Sequence, residues 1–157
     1  MILLSQLVSR AGIFLDVSAQ SQQLVLEQIT ERMVAANIVQ ATDRPELMRR
    51  LTAREKLCST AVGHGAAIPH AYFDKFTQPM LVISRVSPPV DFCSPDNKSV
   101  DLIFVLLGPE RVPAQHIQIL SKITRMLKDE RFDEQLRTAH DPNEVFDALL
   151  EVEKRHH

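Results

Sequence analysis

The segment Val100–Leu107, VDLIFVLL, constrains this fold more than any other, because it is apolar at every position except Asp101. A strand with one wet face alternates apolar and polar residues, whereas a strand this continuous must be covered on both faces. It belongs inside a sheet with helices above and below. Met80–Val86 (MLVISRV) and Ile13–Val17 (IFLDV) read as further strands. Between Val86 and Val100, the turn-rich SPPVDFCSPDNKS leaves room for a short edge strand around Val90–Phe92.

Helices at the two ends of the chain supply the covers. Ser18 and Ser21 suit a helix start before Gln22–Asn37, where Leu24, Val25, Leu26, Ile29, Met33 and Val34 give a broad apolar face. A second helix is expected over Arg44–Arg54, capped by Thr42 or Asp43 and carrying Pro45 in its first turn. Past Gly108 and Pro109 the pattern is helical to the end, with stripes Ile117/Leu120/Ile123/Leu127, Phe132/Leu136 and Val145/Phe146/Leu149/Leu150. The architecture that buries all of these faces is a three-layer α/β/α sandwich around a mixed sheet. The 157 residues fit one domain, residues 1–157, with 153–157 expected to fray.

The formal charge is −2 and the basic residues are scattered, so nothing here has the footprint of a nucleic-acid or anionic-membrane binder. No apolar run approaches the roughly 18 residues of a membrane span, and no signal-like start is present, so a cytoplasmic location is expected. Cys58 and Cys93 are far apart without a C-x-x-C, which reads as reduced packing residues in a cytosolic core.

Chemistry near neutral pH directs attention to histidine, nucleophile or metal ligand when neutral. His156 and His157 fall in the expected tail, and His140 precedes Asp141-Pro142 at a helix boundary, where capping or exposure explains it. Ser59–Ala71, STAVGHGAAIPHA, is small and glycine-containing and reads as strand, sharp turn and exposed tip. His70 follows Pro69, whose fixed φ presents the next side chain at a defined angle. His116 lies at one end of a buried helical stripe, four, seven and eleven residues before Leu120, Ile123 and Leu127. It either packs inward or serves an anion at the helix N-terminus. His64, His70 and His116 match no standard zinc spacing, and no metal or cofactor is expected. There is no G-x-S-x-G, P-loop lysine motif or G-x-G-x-x-G.

Leu51–His70, LTAREKLCSTAVGHGAAIPH, resembles the signature of enzyme IIA proteins of the fructose, mannitol and nitrogen-regulatory phosphotransferase systems. There an Arg-Glu pair leads through a Ser-Thr turn to a G-x-x-I-P-H phosphoacceptor. PPVDFCSPDNKSVDLIFVLLGPE and AQHIQIL, which contains His116, are similar to two further blocks of that family, so the resemblance covers nearly the whole chain. Cys58, Ala61 and Ala71 stand where family members often carry glycine, which implies altered loop mobility.

The resemblance implies that His70 accepts a phosphoryl group from the phosphohistidine of an HPr-type carrier, with His116 and Arg54 assisting. Arg54 has a second reading, as a surface arginine favoured by a helix C-terminus. Ile68, Tyr72 and Phe73 are candidates for an apolar docking rim, although Phe73 suits the core equally. A chain of this length and layout resembles the nitrogen-regulatory branch, which acts on target proteins according to phosphorylation state. A sugar-branch component passing phosphate to an enzyme IIB, or an interaction module without phosphotransfer, are the alternatives.

Overall fold

A computed structural model describes residues 2–156. Among these residues the elements are β1 (Ile13–Val17), α1 (Gln22–Ala35), α2 (Arg44–Leu57), β2 (Ala61–Gly63), β3 (Ala66–Ala67), β4 (His70–Tyr72), β5 (Met80–Val90), β6 (Val100–Gly108), α3 (Pro113–Met126), α4 (Glu130–Thr138) and α5 (Pro142–Arg155). The sheet runs β1-β5-β6-β3-β2, and β4 also pairs with β6. Pairing is antiparallel for β5/β6 and β2/β3, and parallel for β1/β5, β3/β6 and β4/β6, so the sheet is mixed.

The continuous apolar run of β6 is explained by its two faces. Leu102, Phe104 and Leu106 pack into one core with Ile119, Ile123, Phe132, Leu136, Val145 and Leu149 of α3, α4 and α5. Ile103, Val105 and Leu107 alternate into a second core with Val25, Ile29, Met33, Leu47 and Leu51 of α1 and α2. This is the three-layer α/β/α arrangement that the apolar patterning requires.

Local chemistry sets most boundaries. Ser21 caps α1 by accepting from the Leu24 N–H at 3.2 Å, and Asp141 caps α5 through the Glu144 N–H at 2.9 Å. Asp43 occupies the N-cap of α2 without a capping side-chain bond, Pro45 lying just inside. α1 ends at Ala35, two residues before the expected Asn37, which lies in the left-handed region at φ 60° in the turn that follows.

Several expectations are corrected. Val90–Phe92 is not a separate edge strand: Val90 ends β5, paired with Val100, and Phe92 is fully buried. Where a tail was expected from residue 153, α5 runs on to Arg155 and buries Glu153; His157 lies outside the described residues. Cys58 and Cys93 are exposed rather than packed. Cys58 follows the last turn of α2, and Cys93 sits in a turn at φ 54°. Ile117 is 64% exposed, while the buried face of α3 is His116, Ile119, Lys122, Ile123 and Met126. A one-residue step turns about 100° round a helix, enough to move Ile117 off the stripe it was assigned to.

Candidate functional site

The sharp turn expected after Ser59 is the β2/β3 hairpin, with Gly63, His64 and Gly65 all at positive φ. Gly65, at φ 73°, lies in the left-handed region that other side chains rarely adopt, and a side chain there would also displace the Arg137 guanidinium. His64 is the exposed tip, its backbone N–H held by Asp96 at 3.0 Å, and it takes no part in the site around His70.

His70 opens β4. β3 and β4 lie along the same side of β6, separated by Ile68-Pro69. The proline cannot donate to the ladder, but its carbonyl accepts from Leu106 N at 3.0 Å and so anchors the break. The Ile68 carbonyl instead accepts from His70 Nδ1 at 2.7 Å. That bond places the imidazole proton on Nδ1 and leaves the lone pair on Nε2.

Arg54, in the last turn of α2, donates from Nε to His70 Nε2 at 3.2 Å. Its Nη1 donates to the Cys58 carbonyl at 2.8 Å, so the guanidinium also satisfies the helix C-terminus. Arg54 thus touches His70 and serves the helix C-terminus with the same guanidinium. His116, in the first turn of α3, brings its ring centroid to 5.4 Å from that of His70, and the Tyr72 ring lies 5.0 Å from it on another side.

The surroundings keep both histidines neutral. Burial pushes the His70 imidazole below its usual range, partly opposed by its bond to Ile68, with the Arg54 charge lowering it further. Burial lowers His116 more, to about 4, assisted by His70. The result is an uncharged imidazole pair beside a guanidinium that bonds the unprotonated ring nitrogen of His70, at the wall of a cleft of about 640 Å³.

That cleft is walled by Ala53, Arg54 and Leu57 of α2, by His70 and Tyr72 of β4, and by His116, Ile117 and Leu120 of α3. Three of the six residues singled out from sequence, His70, His116 and Arg54, thus meet, and Tyr72 lines the same cleft. Ile68 and Phe73 do not form a docking rim: they are 2% and 3% exposed, one beneath each face of the sheet. The exposed apolar groups at the mouth are instead Leu57, 82% exposed, and Ile117, 64% exposed. Leu57 was legible as an apolar residue three positions after Arg54, hence on the same helix face.

Such a site can present a neutral nitrogen nucleophile to an electrophile arriving from solvent, with a cation to receive negative charge. The profile of the family described as "Phosphoenolpyruvate-dependent sugar phosphotransferase system, EIIA 2" matches residues 6–152. A nitrogen regulatory protein of Bradyrhizobium diazoefficiens is 33% identical over 146 residues, covering 93% of this chain and 94% of that protein. The fructose-specific EIIA component of Haloferax volcanii is 34% identical over 119 residues, 76% of this chain and 77% of that protein. The crystal structure of nitrogen regulatory protein IIA-Ntr from Neisseria meningitidis superposes with a TM-score of 0.82 at 31% identity, covering 92% of this chain and 97% of that one.

Proposed function

This chain belongs to the EIIA 2 family of the phosphoenolpyruvate-dependent sugar phosphotransferase system, and we propose that it carries a phosphoryl group on His70 Nε2, taken from an HPr-type phosphohistidine protein. The observation that carries this reading is the two-sided hold on one imidazole: Ile68 O on Nδ1 at 2.7 Å and Arg54 Nε on Nε2 at 3.2 Å.

The Nε2 lone pair attacks phosphorus in line as the bond from phosphorus to the donor nitrogen breaks, the electron pair remaining on the donor. The proton stays on Nδ1, donated to the Ile68 carbonyl, whose oxygen stabilises the positive charge the ring acquires. The Arg54 Nε–H, released from the lone pair, turns to a phosphoryl oxygen, and His116 offers a ring N–H to another. Such transfers need placement and charge stabilisation more than covalent help. Because the cleft is open to a protein partner, the arginine should contribute less than the 10³- to 10⁵-fold of a closed site.

The regulatory branch, in which phosphorylation state governs binding to target proteins, is supported by the nitrogen regulatory relatives and the IIA-Ntr structure. A sugar-branch role, handing the group to an enzyme IIB, is supported by the likeness to a fructose-specific EIIA component. Transfer to purified IIB proteins separates the two.

Incubation with phosphoenolpyruvate, enzyme I and an HPr-type carrier, followed by intact mass and acid lability, tests the phosphocarrier reading. One acid-labile group is expected, absent in His70→Ala and retained at a lower rate in His116→Ala. A wild-type chain left unmodified by cognate carriers would remove the reading and leave an interaction module in its place.

A further inference from the structure

We infer that Glu55 is a positioning residue for His70: its carboxylate holds Thr60 and thereby sets, through the Thr60 and Ile68 carbonyls, which ring nitrogen of His70 bears the proton. This rests on the phosphocarrier reading, in which Nε2 must be bare to attack.

Glu55 spends both oxygens on one residue. Oε2 accepts from the Thr60 N–H at 2.8 Å and Oε1 from the Thr60 hydroxyl at 2.6 Å. Thr60 is only 5% exposed, so these bonds are shielded from water. Its carbonyl accepts from the Ile68 N–H at 3.0 Å, and on the other side Pro69 is fixed by its carbonyl's bond to Leu106 N. Ile68 is thus held from both directions, and its own carbonyl, outside the sheet ladder, takes the His70 Nδ1 proton. Glu55 is the neighbour of Arg54 on α2. One helical turn therefore reaches both nitrogens of a single imidazole, directly at Nε2 and by relay at Nδ1. The Glu55 charge also acts on the ring: burial is the main influence lowering the His70 pKa, and Glu55 works against it.

A carboxylate that only closed the turn before β2 would affect folding and leave the imidazole alone. Nitrogen NMR of labelled His70 at neutral pH distinguishes the two. The wild type should show a protonated Nδ1 and a bare Nε2. In Glu55→Ala the two signals should move toward each other as tautomers mix, and phosphoryl acceptance should slow roughly tenfold with donor KM unchanged, as for a reacting atom displaced by under an ångström. Glu55→Gln keeps one acceptor and Thr60→Val keeps the backbone N–H, so each should fall between. If these two variants show wild-type tautomer signals and wild-type rates, the relay is overturned, whatever becomes of Glu55→Ala. A wild-type chain that takes no phosphoryl group would instead sink the phosphocarrier reading, and the tautomer signals would still decide what Glu55 does.

Discussion

The His70 ring is bonded at both nitrogens, and the consequences at the scale of single residues follow from that. Arg54→Gln leaves Nε2 without its charged donor, so we expect the rate of phosphoryl acceptance to fall about ten- to a hundredfold, less than for a closed transfer site. Single-turnover kinetics against a phosphorylated carrier measures it. His116 gives a pH dependence with a definite sign. Its pKa is near 6.5 in the unfolded chain and about 4 in the folded one. Between those values the unfolded state binds the extra proton, so stability is lost as the pH falls through that window. The loss attributable to this group is about 3 kcal/mol. Urea unfolding at neutral pH and near pH 4.5 should show wild type losing more stability than His116→Gln; equal losses would mean that the ring is not held neutral by burial.

At the scale of elements, α2 and α3 each serve two purposes. Leu47 and Leu51 of α2 enter the core, while Ala53, Arg54 and Leu57 face the cleft; α3 buries Ile119 and Ile123 and turns Ile117 outward. Two large apolar side chains exposed on either side of a reactive nitrogen suit a small, transient contact with a carrier. Leu57→Asp and Ile117→Asp should therefore leave unfolding free energy within about 0.5 kcal/mol of wild type, since neither is packed. Each should raise KM for the phosphorylated donor about tenfold with kcat little changed. A fall in kcat alone would assign them to the chemistry instead. Sequence spacing located both helices and set His116 at the end of the buried stripe of α3, but the apolar pattern also assigned Ile117 to that stripe, where it is exposed. Hydrophobicity alone ranks those two positions the wrong way round.

Across the whole molecule, residues far apart in sequence tie the ends together. Glu153 on α5 accepts from Leu4 N at 2.6 Å and Ser5 N at 3.0 Å, and Lys122 of α3 lies 3.5 Å from it while also donating to the Ile2 carbonyl. Glu153→Ala would leave the buried Lys122 ammonium without its counter-charge and two backbone donors without their acceptor, so a loss of about 3–5 kcal/mol is expected. Hydrogen exchange at Leu4 and Ser5 should accelerate; unchanged protection would show that the segment is held by apolar packing alone. What the sequence by itself determined was whatever depends on neighbours along the chain: the doubly covered strand at Val100–Leu107, the helices and the Ser21 cap of α1, and the placing of His70 directly after Pro69 within one local segment. Tertiary structure decided the rest. The bare nitrogen of His70 depends on the break between β3 and β4 beside β6, the burial of Ile68 and Phe73 on the two sides of the sheet they adjoin, and the order of the C-terminal turn on a carboxylate that finds its partners about 150 residues away. Those outcomes are set by which groups remain unpaired once the sheet has formed, and no local pattern records that.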